Sequence, residues 1–207
     1  MLYIFEKQLN SMINRFVAKI KINEAELHCE KEKLSEAYRE LEGVAFVDYL
    51  TGLFNRRAMC DIIKKNLERC RLDGANFCLI LADIDKFKSI NDIHGHDAGD
   101  IVLKSVAALL KDALRKDDVI SRWGGEEFLI MVNANDLAGG IVLAEKLRRI
   151  IASSLIRVGE HSIHLTMTFG VVASACDKTL DMLVKEADQF LYSGKERSRN
   201  CVVSGGC

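Results

Sequence analysis

Two pairs of acidic residues stand where apolar segments end or begin. Asp83 and Asp85 close the run NFCLILADID, while Glu126 and Glu127 follow two glycines in RWGGEEF, directly before FLIMV. Residues two apart in a strand point to one face, and a hairpin beside that strand would bring the glutamates close to Asp83. Clustered carboxylates cannot all stay ionised without a cation. Since Mg²⁺ takes one or two carboxylates together with water and phosphate oxygens, the acids predict a metal-dependent reaction of a phosphate compound.

A hairpin tip can also carry glutamates that have no chemical role. Two glycines permit positive φ and suit a tight turn, and glutamates at such a turn are usually solvated. The RWGGEEF segment alone favours this interpretation. The acids of the LADID segment, considered beside it, favour the metal site.

The elements that must position these acids follow from apolar periodicity and from capping residues. Asn55 is predicted to cap a helix that runs to about Arg71 and stops at Asp73-Gly74. The segment at 88–100 reads as a loop with two glycines. The other predicted elements are a strand at CLILA, a helix over 100–114, a hairpin from DVISRW to FLIMV, a helix over 136–154, a strand pair around HSIHLTMTFGVVA and a helix over 179–194.

Residues 1–46 show a heptad pattern, and we predict that they form a separate N-terminal coiled-coil helix ahead of a domain over 47–207. The pattern interrupts its apolar seam with charged residues, which is typical of a marginal two-stranded coiled coil. A surface helix packed on its own domain is the alternative. The residues that recur every seven positions are Ile13, Ile20, Leu27, Leu34 and Leu41.

Composition excludes several classes of protein. The 29 basic and 30 acidic residues give a formal charge of −1, which argues against a nucleic-acid binder. Seven scattered cysteines without a C-x-x-C pair argue against a disulfide framework or a zinc site. No apolar run reaches the roughly 18 residues of a membrane span, and the N-terminus does not resemble a secretion signal. We therefore expect a cytoplasmic protein.

Six motifs, taken in order, resemble those of GGDEF-domain diguanylate cyclases, here in a GGEEF variant. They are DYLTGLFNRR, DIDKFKSIND, GHDAGD, RKDDVISRWGGEEF, TMTFGV and ADQFLYSGKERSRN, and they cover about 48–203. The resemblance implies an α/β (α+β) fold with a central, mostly antiparallel five-stranded sheet flanked by helices, similar to palm domains and nucleotidyl cyclases. It also implies that two GTP molecules condense to cyclic di-GMP and two pyrophosphates.

In that reaction each 3′-hydroxyl attacks the α-phosphate of the other GTP, so two domains must face each other as a homodimer. The N-terminal helix would raise the effective concentration of the two half-sites. The implied cofactor is Mg²⁺, or Mn²⁺ in its place. The implied partners are GTP and cyclic di-GMP, the latter as both product and inhibitor.

The resemblance assigns roles to the residues around the acids. Asp83, Glu126 and the main-chain carbonyl of Ile84 are the implied metal ligands, and Glu127 is placed to reach a second metal. Glu126 is also the implied acceptor of the 3′-hydroxyl proton. Lys88 would neutralise charge on the transferred phosphoryl group, although an exposed lysine with no such role is the alternative.

Nucleotide contacts are implied at further positions. Asn91, His96 and Asp100 match the positions that contact the nucleotide, with Asp100 suited to accept from guanine N–H groups; for His96 a capping role is the alternative. Gly124 and Gly125 would let the main chain approach the phosphates.

Two late basic residues match the positions that hold the triphosphate. These residues are Lys195 and Arg199. Ser198 stands where the family usually has glycine, which would displace Arg199 if that turn needs positive φ.

A regulatory site is implied by the R-x-x-D motif formed by Arg115 and Asp118, five residues before the paired glycines. An arginine guanidinium can donate two hydrogen bonds to a phosphate or to guanine, and an aspartate carboxylate can accept hydrogen bonds from guanine N–H groups. A charged helix end is the alternative. Lys146 falls where relatives carry a second arginine, and Arg69 would contribute from the neighbouring domain.

Three other functions remain open at this point, of which a pure coiled-coil scaffold leaves the acid cluster unexplained. One is a catalytically inactive module that binds GTP or cyclic di-GMP and regulates a partner, although such modules usually show a damaged motif. Another is a cyclase or polymerase that acts on a different nucleotide, which Asn91 and Asp100 disfavour.

Overall fold

The computed structural model describes residues 46–133 and 136–205, together with six isolated helical positions at 19, 21, 27 and 30–32. By its internal contacts the chain divides into two units, 1–45 and 46–207. Apart from those six positions, the predicted coiled coil lies outside the described residues. Among the described residues, no helix is both long and apolar enough to span a lipid bilayer.

The second unit alternates helices and strands around one main sheet. Its helices are α1 (Arg56–Asp73), α2 (Phe87–His94), α3 (His96–Ala113), α4 (Leu137–Ser153) and α5 (Leu180–Arg197). Its strands are β1 (Cys78–Ile84), β2 (Val119–Arg122), β3 (Glu127–Val132), β4 (Leu155–Val158), β5 (His161–His164), β6 (Met167–Ala173) and β7 (Val202–Ser204).

The main sheet has the order β2-β3-β1-β6-β7. All its pairs are antiparallel except β6 with β7, while β4 and β5 form a separate two-stranded hairpin. The predicted mostly antiparallel five-stranded sheet flanked by helices is therefore confirmed.

Strand β1 lies at the centre of the sheet, and all seven of its residues are buried. Because successive side chains point to opposite faces, its even-numbered residues pack with α3 and α4. Leu79 and Leu81 pack on the other face with α1 and α5. Burial on both faces requires an apolar strand, and the one charged residue of β1, Asp83, is buried near its end.

Helix α5 lies unusually close to β6 at Gly170. A Cβ at this position would lie 2.1 Å from the main-chain oxygen of Ala187 and 2.7 Å from the main-chain nitrogen of Leu191. Only glycine leaves room for this approach, which sets the position of α5 on the sheet.

The ends of α1 follow the predicted signals. The Asn55 side chain accepts a hydrogen bond from the main-chain nitrogen of Ala58 at 3.0 Å. At the other end, Gly74 has φ 68° and its N–H donates to the Cys70 carbonyl. Both features are local, which explains why the sequence predicts them.

Several element predictions are wrong. The segment at 88–100 is helical rather than a loop. It belongs to α2 and α3, which are separated only by Gly95, whose φ is 86°. Strands β5 and β6 do not pair with each other: β5 pairs with β4, and β6 pairs with β1 and β7. Strands β4 and β7 are short, and the sequence reading missed both.

Candidate active site

The carboxylates meet where β1 and β3 run side by side. Asp83 is the register partner of Glu127, and the main-chain nitrogen of Ile84 donates to the Glu126 carbonyl at 3.3 Å. The pairing of the apolar strand with the hairpin thus brings both glutamates beside Asp83, as the sequence predicts.

The predicted hairpin turn before these glutamates is closed by main-chain hydrogen bonds. The N–H groups of Trp123 and Gly124 both donate to the Glu127 carbonyl, at 2.8 and 3.3 Å. Neither Gly124 nor Gly125 is among the described residues with positive φ, so the turn does not use the positive φ that glycine permits. A Cβ at Gly124 would lie 2.6 Å from Glu127 Oε2. The absence of a Cβ at Gly124 thus leaves room for the Glu127 carboxylate in this orientation.

Arg122 holds the turn in place and was missed by the sequence reasoning. Its Nη2 donates to the Gly125 carbonyl at 2.8 Å, and its Nη1 forms a 3.3 Å ion pair with Asp48. Asp48 is fixed in turn by the main-chain nitrogen and hydroxyl of Thr51. The only sequence signals were an arginine before the turn and an aspartate in DYLTG.

Lys195 reaches the acids from α5. Its Nζ lies 2.7 Å from Asp83 Oδ2. Burial raises the pKa of Asp83, and the hydrogen bond and charge of Lys195 oppose that rise. Of the two predicted triphosphate residues, Lys195 is therefore at the acid cluster.

Glu126 and Glu127 share the same electrostatic environment. Burial raises the pKa of each, the negative charge of Asp83 raises it further, and the charge of Lys195 opposes the rise. Three carboxylates with one ammonium group retain an excess of negative charge that a cation would relieve.

The donor set fits a hard cation held by few protein ligands. In the segments 46–133 and 136–205, no three or more histidine, cysteine or acidic side chains converge as a metal-ligand group. Mg²⁺ needs only one or two carboxylates when phosphates and water complete its shell. Asp83 and Glu126 with the Ile84 carbonyl suit that requirement, whereas a closed site made of protein ligands alone is not present in these segments.

Asp85 is structural rather than part of the acid cluster. Its carboxylate accepts from the hydroxyls of Thr166 and Thr168, at 2.6 and 2.7 Å, and from the main-chain nitrogen of Asn200 at 3.0 Å. It thereby ties the end of β1 to the segment that follows α5.

That segment contains Arg199, the second predicted triphosphate residue, which is exposed. Ser198 has φ −150°, so the substituted position does not need glycine. Positive φ falls instead on Arg199 and Asn200, at 55° and 46°. The Asn200 side chain accepts from Arg148 Nη1 at 2.8 Å, which helps to hold this turn.

The other predicted substrate residues lie on α2 and α3. Lys88, His96 and Asp100 are exposed. Asn91 Oδ1 is buried without a hydrogen-bond partner, and a Cβ at Gly99 would lie 1.9 Å from it. The structure thus brings the Asn91 amide against the helix turn that carries Asp100.

Three of the four predicted inhibitory residues come together at the end of α3. The Arg115 N–H donates to Asp118 Oδ2 at 2.9 Å, and Lys146 Nζ donates to the Ala113 carbonyl at 2.9 Å. Arg115 and Asp118 also line a cavity of about 440 Å³. Arg69 is exposed on α1, which covers the opposite face of the sheet.

Comparison with known proteins agrees with this architecture. Residues 45–201 match the family described as "Diguanylate cyclase, GGDEF domain". The chain is 38% identical to diguanylate cyclase DgcP of Pseudomonas aeruginosa and 39% identical to response regulator PleD of Caulobacter vibrioides, over 156 and 163 residues. These regions cover 75% and 77% of this chain but only 23% and 36% of the two relatives.

A solved structure of the coiled coil and GGDEF domain of DgcB from Caulobacter crescentus, in complex with c-di-GMP, is also similar. It superimposes with a TM-score of 0.75 at 25% identity, over 90% of this chain and 99% of that one. With the family match over 45–201, the motif order and the shared architecture in agreement, this chain belongs to the GGDEF domain family.

Proposed function

We propose that this chain is a diguanylate cyclase that condenses two GTP molecules into cyclic di-GMP with release of two pyrophosphates. The observation that carries the proposal is the pairing of Asp83 with Glu127, which places Glu126 at the same strand end. Relatives named as diguanylate cyclases support it.

Asp83, Glu126 and the Ile84 carbonyl would hold a divalent cation, with Glu127 available to a second one. A bound Mg²⁺, or Mn²⁺ in its place, supplies a Lewis acid that favours the ionised 3′-hydroxyl and offsets phosphate charge. Glu126 accepts the 3′-hydroxyl proton; burial and the charge of Asp83 raise the pKa of its carboxyl.

Basic side chains are proposed to hold the triphosphate. Lys195, already at the acid cluster, binds phosphate oxygens together with Arg199. Lys88 neutralises charge on the transferred group. Gly124 and Gly125 leave the main chain of the turn open to the phosphates.

The guanine base is proposed to lie against α2 and α3. The unpartnered Asn91 Oδ1 and the Asp100 carboxylate are acceptors suited to guanine N–H groups. His96, in the first turn of α3, completes this set.

Two copies of the chain are needed, because each GTP supplies a hydroxyl to the other. We propose that residues 1–46 dimerise as a coiled coil and that 47–207 form the catalytic domain. The DgcB structure, which contains a coiled coil with a GGDEF domain, supports this division.

Product inhibition is proposed at the R-x-x-D turn. Arg115 and Asp118 face one cavity, Lys146 lies at the adjoining helix end, and Arg69 would come from the second copy. The alternative function is an inactive module that binds GTP or cyclic di-GMP. The intact Asp83, Lys88 and GGEEF motif favour the enzyme.

The test is incubation of the 207-residue chain with GTP and Mg²⁺, followed by chromatographic and mass identification of the nucleotide product. Cyclic di-GMP with pyrophosphate is the expected result. Binding of GTP without turnover at any protein concentration would favour the inactive module.

A further inference from the structure

Two cysteines that are far apart in the sequence meet at the end of α1. Cys70 Sγ and Cys176 Sγ lie 3.1 Å apart, although 106 positions separate the residues. Both are free thiols. Cys70 is fully buried in the last turn of α1, whereas Cys176 is exposed in the segment between β6 and α5.

The surrounding contacts hold the two sulfur atoms together. Arg71 Nε donates to the Cys176 carbonyl at 3.1 Å, and Cys176 Sγ contacts the Cys70 carbonyl at 3.2 Å. Arg71 also reaches the Lys178 carbonyl. The segment is therefore docked on the helix end, and it holds the two sulfur atoms within about 1 Å of the separation of a disulfide bond.

We propose that Cys70 and Cys176 form an oxidative modification site, at which a hydroperoxide converts the two thiols into a reversible disulfide. The proposal does not depend on the function proposed above. It assigns a role to two residues that lie away from the acids of β1 and β3.

The two cysteines have different roles in the reaction. The exposed Cys176, as thiolate, attacks one peroxide oxygen, so an S–O bond forms, the O–O bond breaks and hydroxide leaves. The Cys70 sulfur then attacks the resulting sulfenic acid; it loses its proton, the S–O bond breaks and water leaves. Overall, two thiols and hydrogen peroxide give one disulfide and two waters. Cys176 reacts first because it is exposed, whereas the hydrogen bond with Cys176 and burial raise the pKa of Cys70.

The expected physical consequence is stabilisation. A disulfide that closes a long loop restricts the unfolded chain, and this one would join the end of α1 to the segment that leads into α5. The melting temperature should rise on oxidation and return when a thiol reductant is added.

The experiment treats the full chain with a small molar excess of hydrogen peroxide and measures intact mass, a peptide map and the melting temperature. Loss of two hydrogens, a linked peptide pair containing Cys70 and Cys176, and a melting temperature higher by several degrees are expected. Dithiothreitol should reverse all three changes.

Two variants keep the test specific. Cys176→Ser, at an exposed position that tolerates substitution, should abolish both the linkage and the thermal shift. Cys60→Ser, which removes a different thiol from the same helix, should retain them. Oxidation of Cys176 to sulfinic acid without linkage, linkage of other cysteines, or an unchanged thermal shift in Cys176→Ser would overturn the proposal.

Discussion

Lys195 Nζ donates to Asp83 Oδ2 at 2.7 Å and so ties the last turns of α5 to the end of β1. The Lys195 side chain is 31% exposed, whereas the Asp83 side chain is 5% exposed. Lys195 therefore offsets part of the charge on three neighbouring carboxylates while still facing solvent, where a phosphate could reach it.

Replacing Lys195 with Met should impair turnover without unfolding the chain. Asp83 would lose its partner and the triphosphate would lose a cation, a combined loss of about 2 kcal/mol or more, or roughly 30-fold in kcat/KM. Initial rates with GTP measure this effect. Lys185→Met, at an exposed lysine on the same helix, is the matched control; equal rates for the two variants would contradict the assignment.

Replacing Glu127 with Gln should raise stability near neutral pH. The folded-state pKa of Glu127 is raised above its ordinary value of 4.5. Its favourable contribution to the free energy of unfolding is therefore complete below pH 4.5 and is lost as the pH rises through the raised pKa. Glutamine mimics the protonated form, and the gain should therefore vanish below about pH 4.

Melting temperatures measured in EDTA across this pH range provide the test of the Glu127 prediction. Glu160→Gln, at an exposed turn glutamate, should show no such trend. A Glu127→Gln variant that is less stable than wild type at neutral pH would show that the carboxylates do not repel each other as described.

Replacing Gly170 with Ala should destabilise the fold. The added methyl group would meet the main chain of α5, which cannot move away cheaply, at a cost of at least about 1–3 kcal/mol. The urea midpoint should fall with little change in slope. Gly125→Ala, where a Cβ meets nothing within 4 Å, should leave the midpoint unchanged; equal midpoints for both variants would refute the close packing of α5 on β6.

Replacing Arg115 with Ala should relieve inhibition by added cyclic di-GMP. The turn should survive, because the hydrogen bond to Asp118 comes from the main chain of residue 115. The guanidinium group that would bind the phosphate is lost. We expect the inhibitory concentration to rise at least about tenfold. Lys104→Ala removes an exposed charge on α3, outside the motif and the cavity, and serves as the control. Inhibition that is unchanged in Arg115→Ala would reject this site.

Features encoded locally were predictable from the sequence, and features that join distant segments were not. The Asn55 cap and the Gly74 stop depend on neighbours within one helical turn. The meeting of Asp83 with the glutamates followed from a strand and an adjacent hairpin. In contrast, the Arg122–Asp48 ion pair joins residues 74 positions apart, and no periodicity in the sequence predicts such a contact.

The missed helix α2 has a different cause. It is only eight residues long and is separated from α3 by one glycine. It begins after Lys86, whose backbone has a left-handed conformation. Short helices lack the repeated apolar spacing on which sequence prediction depends. Gly124 shows a related limit, since the close contact at this position involves the distant end of the Glu127 side chain, which the local sequence does not reveal.

The most direct test of the central claim is the nucleotide product formed from GTP and Mg²⁺ by wild type and by Glu126→Gln, with GTP binding measured by calorimetry for both. The account predicts cyclic di-GMP from wild type and none from the variant, with GTP binding retained. A wild type that binds GTP but forms no cyclic di-GMP, or a variant as active as wild type, would contradict it.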